Sequence, residues 1–165
     1  MTGSASFARK PQRRDRLIRE HVHDPYKVRV KLPEPTVCTQ CGAIWLHGRW
    51  QWGEATAGAH GTLCPACQRV RDKAPAGLLW LGGEFFRAHR EEILNLARNH
   101  VEQQRREHPL KRLLGIEERA EGIEISFTDT HLPRGVGEAI ERAFDGALEI
   151  QYTDESNLVR VRWVR

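Results

Sequence analysis

Cys38-Thr39-Gln40-Cys41-Gly42 and Cys64-Pro65-Ala66-Cys67 decide how this chain is read. They contain all four cysteines of its 165 residues, and 22 residues separate the two pairs. Each Cys-x-x-Cys turn aims two thiolates at one ion. A loop of about 15–20 residues or slightly more lets the second turn face the first. Gly42 permits the tight backbone of a knuckle, and Pro65 presets the turn inside the second pair. The expectation is one structural zinc ion held by Cys38, Cys41, Cys64 and Cys67. Four cysteine ligands leave no open coordination position, so such a metal holds structure and does no chemistry. Two other readings are weighed beside it. A redox Cys-x-x-Cys would need only one pair, at a helix N-terminus after a strand. His47 or His60, in the intervening loop, could also replace a cysteine.

The same loop holds Trp45, Trp50 and Trp52 around Gly48-Arg49. A small metal module supports few core residues, so one role for these rings is to cover the site. The other is to stack on nucleobases beside Arg49, Arg69 and Arg71. Residues 35–74 are therefore read as a zinc-ribbon-like module with four cysteine ligands.

Downstream, Pro75-Ala76-Gly77 punctuates the chain, and residues 75–165 alternate strands with helices. A short apolar run over 78–81 ends at Gly82-Gly83. One helix is expected from about 84 to 107, ended by Pro109. Strands follow at about 110–116 and at Ile123, Ile125 and Phe127, whose alternation with polar residues marks a half-buried strand. A second helix is expected over 131–144, then strands through Leu148, Ile150 and Tyr152 and through Val159, Val161 and Trp163. The order β-α-β-β-α-β with an extra C-terminal strand predicts an α+β, ferredoxin-like (split βαβ) domain, with two helices on one face of an antiparallel sheet. The opposite face would be open. Its central strand offers Glu124, Ser126 and Thr128 there and no aromatic, so the RNA-recognition-motif mode of base stacking is not expected.

Upstream, residues 1–34 read as a basic, partly disordered arm. Residues 1–31 carry nine basic and three acidic side chains, a surplus of six in a chain whose net charge is only +4. Arg9, Lys10, Arg13, Arg14, Arg16 and Arg19 lead it, and a short helix is expected over 12–21. Such an arm is attracted to polyanions, with counterion release supplying much of the affinity. The other possibility is a solvated leader with no partner.

No catalytic set emerges: there is no Gly-rich phosphate loop, Gly-x-Ser-x-Gly or His-Glu-x-x-His. The chain is read as not an enzyme, with no small-molecule substrate. No apolar run approaches the roughly 20 residues of a membrane span, no secretory h-region precedes it, and its paired cysteines suit a reducing compartment. A cytoplasmic location is expected.

Several runs resemble a family of short bacterial zinc-binding proteins. They are Leu32-Pro-Glu-Pro-Thr before the first pair, Gly48-Arg-Trp-x-Trp52, Cys64-Pro-Ala-Cys-x-Arg-x-Arg-Asp72, Pro75-Ala-Gly77, Glu92-Ile-Leu-Asn-Leu, Glu107-His-Pro-Leu110 and Thr128-Asp-x-His-Leu132. That family is grouped with NMD-type proteins that affect ribosome stability and mRNA decay. The large members carry several more cysteine pairs and bind the large ribosomal subunit. The resemblance implies the four cysteines as ligands, and RNA or a ribosomal subunit as partner. The expected function is thus a non-enzymatic RNA- or ribosome-binding stress or maturation factor. The alternative is a zinc-ribbon protein-interaction adaptor without nucleic acid.

Overall fold

A computed structural model describes residues 24–27, 30–153 and 157–165. The helix expected over 12–21 and the six leading basic residues of the arm lie outside them. The described chain is mixed α/β, with four helices and two sheets.

The first sheet is small. Strands β1 (Thr36–Cys38), β2 (Ile44–Leu46), β3 (Arg49–Gln51) and β4 (His60–Thr62) pair in the order β3-β2-β1-β4. Strands β1 and β4 run parallel, and the other pairs are antiparallel. Helix α1 (Pro65–Asp72) follows directly. The β2–β3 hairpin turns at His47 and Gly48, whose φ angles are 53° and 73°. Two residues with positive φ suit the right-handed twist of a tight hairpin. Glu34 holds this turn from outside, its carboxylate accepting from His47 N at 3.1 Å and Gly48 N at 3.0 Å.

The second sheet is larger: β5 (Gly77–Gly82), β6 (Leu113–Arg119), β7 (Gly122–Phe127), β8 (Ala147–Tyr152) and β9 (Val159–Val164), in the order β6-β7-β5-β9-β8. Helices α2 (Glu84–Ala88) and α3 (Arg90–Glu107) connect β5 to β6, and α4 (Leu132–Phe144) connects β7 to β8. Leu79, Leu81, Ile123, Ile125, Phe127, Val161 and Trp163 form one apolar face beneath Phe86, Ile93, Ala97, Val136 and Ile140 of the helices. Gly137 lets α4 settle on the sheet, because a Cβ there would lie 2.8 Å from Leu148 and 3.1 Å from Val161.

Two expectations change. The helix expected over 84–107 breaks at His89 (φ −118°, ψ 24°), which stacks on Phe85 with ring centroids 4.1 Å apart. The terminal strand is not appended to an antiparallel sheet. Strand β9 inserts between β5 and β8 and pairs parallel to β5. The reason is burial. Val159, Val161 and Trp163 are all buried, whereas β8 buries none of its residues fully and so occupies the edge. A strand that presents Trp163 and two valines inward needs covered neighbours on both sides, and a half-polar strand does not.

The open face also differs from its reading. Trp80 of β5 lies on it, in register with Glu124 of β7 and Arg162 of β9. The Arg162 guanidinium sits 4.7 Å from the ring centroid, a cation–π contact. Period-two alternation places Leu79 and Leu81 inward, so Leu78 and Trp80 face out. That pattern is present in the sequence of this short run.

Candidate metal centre

The two cysteine pairs reach the site from different local structures. Cys38 ends β1, and Cys41 lies in the turn that leads into β2. Cys38 N donates to Ala43 O at 2.7 Å, and Gly42 N donates to Cys38 O at 2.9 Å, which closes that turn. Gly42 takes φ 78°, which a side chain would resist. Cys64 is the N-cap of α1, with Pro65 at the first helical position and Cys67 in the first turn. Pro65 thus starts a helix instead of shaping a knuckle turn, since its missing N–H is one the helix start does not need. This pair has the strand-then-helix setting of a redox motif, but it does not stand alone.

All four Sγ atoms lie within 4.8 Å of one another, and Cys38, Cys64 and Cys67 are buried. The edge of a sulfur tetrahedron with metal–sulfur bonds of about 2.3 Å is about 3.8 Å. Cys41 Sγ and Cys64 Sγ are 3.8 Å apart. The four side chains are therefore placed to hold one metal ion with a closed coordination sphere. No histidine among the described residues joins the cluster: His47 and His60 are exposed.

Backbone and side-chain donors surround the sulfurs. Cys64 N donates to Cys38 Sγ at 3.3 Å, and Cys67 N to Cys64 Sγ at 3.4 Å. Burial pushes the Cys38 thiol up, but N–H donors from Cys64, Cys41 and Gln40 outweigh it and hold the thiol at about 6. Burial raises the Cys64 and Cys67 thiols, and for Cys64 the neighbouring sulfurs add to the rise. Protons and metal therefore compete for the same sulfurs.

The sulfurs also receive a cation from the residue just before β6 of the larger sheet. Arg112 Nη2 donates to Cys41 Sγ at 2.9 Å and reaches Cys64 Sγ at 3.7 Å, while Nη1 donates to Cys67 Sγ at 3.3 Å. Its own backbone is fixed by Thr128, whose Oγ1 accepts from Arg112 N at 2.9 Å and donates to Leu110 O at 2.7 Å. Four thiolates around a dication carry two net negative charges, and a planar guanidinium offsets one of them in a partly buried place. Sequence spacing does not point to Arg112, because it lies 45 residues beyond the last ligand.

The residues considered for nucleic acid divide into three groups. Arg9, Lys10, Arg13, Arg14, Arg16 and Arg19 lie outside the described residues. Trp50 and Arg69 are used inside the protein. Trp50 is buried against the cysteine cluster with Trp45 packed on it, rings edge-to-face at 5.8 Å. Arg69 is buried, donating to Asp24 Oδ1 at 2.7 Å and Ala74 O at 3.0 Å, with its guanidinium over the Tyr26 ring. The third group is exposed: Arg49 at the hairpin, Trp52, and Arg71, which pairs with Asp72. Trp52 is nevertheless anchored, its Nε1 donating to Arg105 O at 2.7 Å.

No family model, curated protein or solved structure matches this chain. No helix of the described residues is long and apolar enough to cross a membrane.

Proposed function

We propose that this chain is a non-catalytic, zinc-stabilised RNA-binding protein, acting on ribosomal RNA or a ribosomal subunit as a stress or maturation factor. Zinc is the ion that the donor set suits best: four cysteine sulfurs, tetrahedral spacing and no open position. The observation that carries the RNA reading is the charge split, with the surplus of six positive charges confined to residues 1–31. The described end of that segment is tied to the metal module. Asp24 pairs with Arg69, and the Tyr26 hydroxyl donates to Asp72 at 3.1 Å. Attraction of a polyanion by the concentrated charge, followed by its contact with a metal-locked body, is the behaviour this arrangement supports. The resemblance to a short bacterial zinc-binding family, grouped with NMD-type proteins that affect ribosome stability, agrees with it.

The test is co-sedimentation with ribosomal subunits and gel-shift with RNA across a salt series. It compares the full chain with one lacking residues 1–23. The cut stops there so that the Asp24–Arg69 pair survives. It removes six of the nine basic residues. Every phosphate that the shorter chain no longer neutralises should flatten the log–log salt slope by roughly 0.7–0.9. Identical affinity and slope for the two proteins would sink the arm's role. The adaptor reading draws on a different observation. The open sheet face mixes Arg119, Arg160 and Arg162 with Glu117, Glu124 and Glu149, a pattern better matched to a protein surface than to phosphate. Absence of RNA binding in both proteins at low salt would favour it.

A further inference from the structure

Where the two sheets meet, a cleft of about 350 Å³ opens between Tyr26, Trp45, Trp50 and Arg69 on one side and Leu110 and Thr128 on the other. That is the lower end of the range for small-ligand sites. Two carboxylates on its walls are each engaged through one oxygen. Asp24 Oδ1 accepts from Arg69 and from Tyr26 N, and Asp129 Oδ1 accepts from the N–H groups of His131 and Leu132. Thr128 Oγ1 is committed to Leu110 O and Arg112 N. Three donors of its lining residues have no partner among the described residues. The indole Nε1 atoms of Trp45 and Trp50 are buried and have no partner among the described residues. The ammonium of exposed Lys27 has none among them either. A buried donor left without an acceptor forfeits its hydration for nothing in return, and an N–H directed at the neighbouring ring offsets that only weakly.

We propose that this cleft takes one nucleobase of a bound RNA. Its flat face lies along the aromatic wall, its ring nitrogen or carbonyl accepts from an indole N–H, and its phosphate sits near Lys27. This deepens the RNA reading and rests on it. Both indole nitrogens are shielded from solvent, so the contact requires a ring to turn toward the cleft. Trp45, which is only half-buried, is the ring placed to do so. A base supplies acceptors on an apolar plane to the unpartnered indole donors, whereas a phosphate alone would use only Lys27.

The experiment uses the full-length, zinc-loaded, ¹⁵N-labelled chain. Its five tryptophans give five indole N–H signals, assigned by through-bond spectra and checked with Trp45→Phe and Trp50→Phe. The four nucleoside 5′-monophosphates are titrated in turn, with ribose 5-phosphate as the phosphate-only control and an RNA gel-shift in parallel. Saturable shifts of the Trp45 or Trp50 indole are expected with at least one nucleotide and not with ribose 5-phosphate. The Trp52 and Trp163 signals, already bonded to Arg105 O and Asp145 O, should stay in place. Trp45→Phe should weaken that binding about threefold to tenfold, the worth of one hydrogen bond. Silent Trp45 and Trp50 signals at millimolar nucleotide overturn the proposal, as do equal shifts with ribose 5-phosphate. A positive gel-shift with silent indoles removes the cleft alone, and failure of both removes the RNA reading as well.

Discussion

The sheet of residues 36–62 is built from strands of three residues, and that of residues 77–164 from strands of six or seven. The short strands bury little. Beside the cysteines, the first core holds Ala43, Ala66 and Trp50, with Leu32, Trp45, Leu63 and Leu110 partly covering it. The long strands bury a continuous layer that, with the helices above it, includes Trp163, Phe86 and Phe127. The larger region can be folded by apolar burial; three-residue strands remove less surface from water, and the four sulfurs of the smaller region are placed to add coordination bonds through a metal ion. The two are joined at Arg112, which directly precedes the larger sheet's β6 and donates to the sulfurs beside the smaller sheet.

Removing the metal should break this contrast most severely. Structural zinc contributes about 10–16 kcal/mol to the folding of small zinc peptides, and little apolar burial remains to replace it here. A chelator, or Cys64→Ser, should abolish amide-exchange protection over residues 36–72 while β5 to β9 stay protected. Residues 110–113 should loosen as well, since Arg112 loses its acceptors. Equal collapse of both sheets would show that the larger one does not stand on its own burial.

Trp163→Ala is the converse experiment. Removing a fully buried tryptophan should cost about 3–5 kcal/mol, read by denaturant unfolding. Metal stoichiometry should remain one per chain in the folded fraction. Loss of metal at native conditions would mean the regions are less separable than their cores suggest.

Arg112→Gln tests the joint between them. Loss of a group that supports metal ligands typically costs about 10–100-fold in metal affinity, measured by competition with a chromophoric chelator. Arg112→Lys should recover part of this, because it restores the charge but not the fork that reaches three sulfurs. An unchanged affinity for both variants would reduce Arg112 to packing.

The smallest effect belongs to the region of the larger sheet alone. Burial, with help from the nearby Arg142 and Lys111 charges, lowers the His100 pKa below its ordinary 6.5. The unfolded chain therefore binds the proton more readily. Stability contributed by neutral His100 is complete above pH 6.5 and falls as the pH drops from there toward the folded value. His100→Gln should flatten the unfolding midpoint between pH 7 and pH 5. The metal-bound region should show its own, separate acid sensitivity as protons displace the ion from sulfur. A single shared acid transition, unaltered in the variant, would contradict this.

Much of this was written locally in the chain. The cysteine spacing placed four sulfurs at one point. The alternations Ile123-Ile125-Phe127 and Val159-Val161-Trp163 marked strands where they occur, and Gly and Pro marked most boundaries. Harder to read were features that depend on a neighbour. The helix break at His89 comes with its stacking on Phe85. The outward placement of Trp80 was written in the period of a run too short to weigh. The burial of Arg69 depends on Asp24 and Tyr26, 45 and 43 positions upstream.

By itself the sequence determined which residues are grouped as candidate ligands, which faces of strands and helices are apolar, and where the positive charge is concentrated, because these are properties of spacing and composition. Only the tertiary structure decided that β9 enters the middle of the sheet, and that Arg112 meets the sulfurs. It also decided that Trp45 and Trp50 line a cleft while their buried indole N–H groups have no partner among the described residues. Those outcomes turn on which surfaces compete for the same burial and on which charges meet across long separations. The local pattern of a chain does not encode either one.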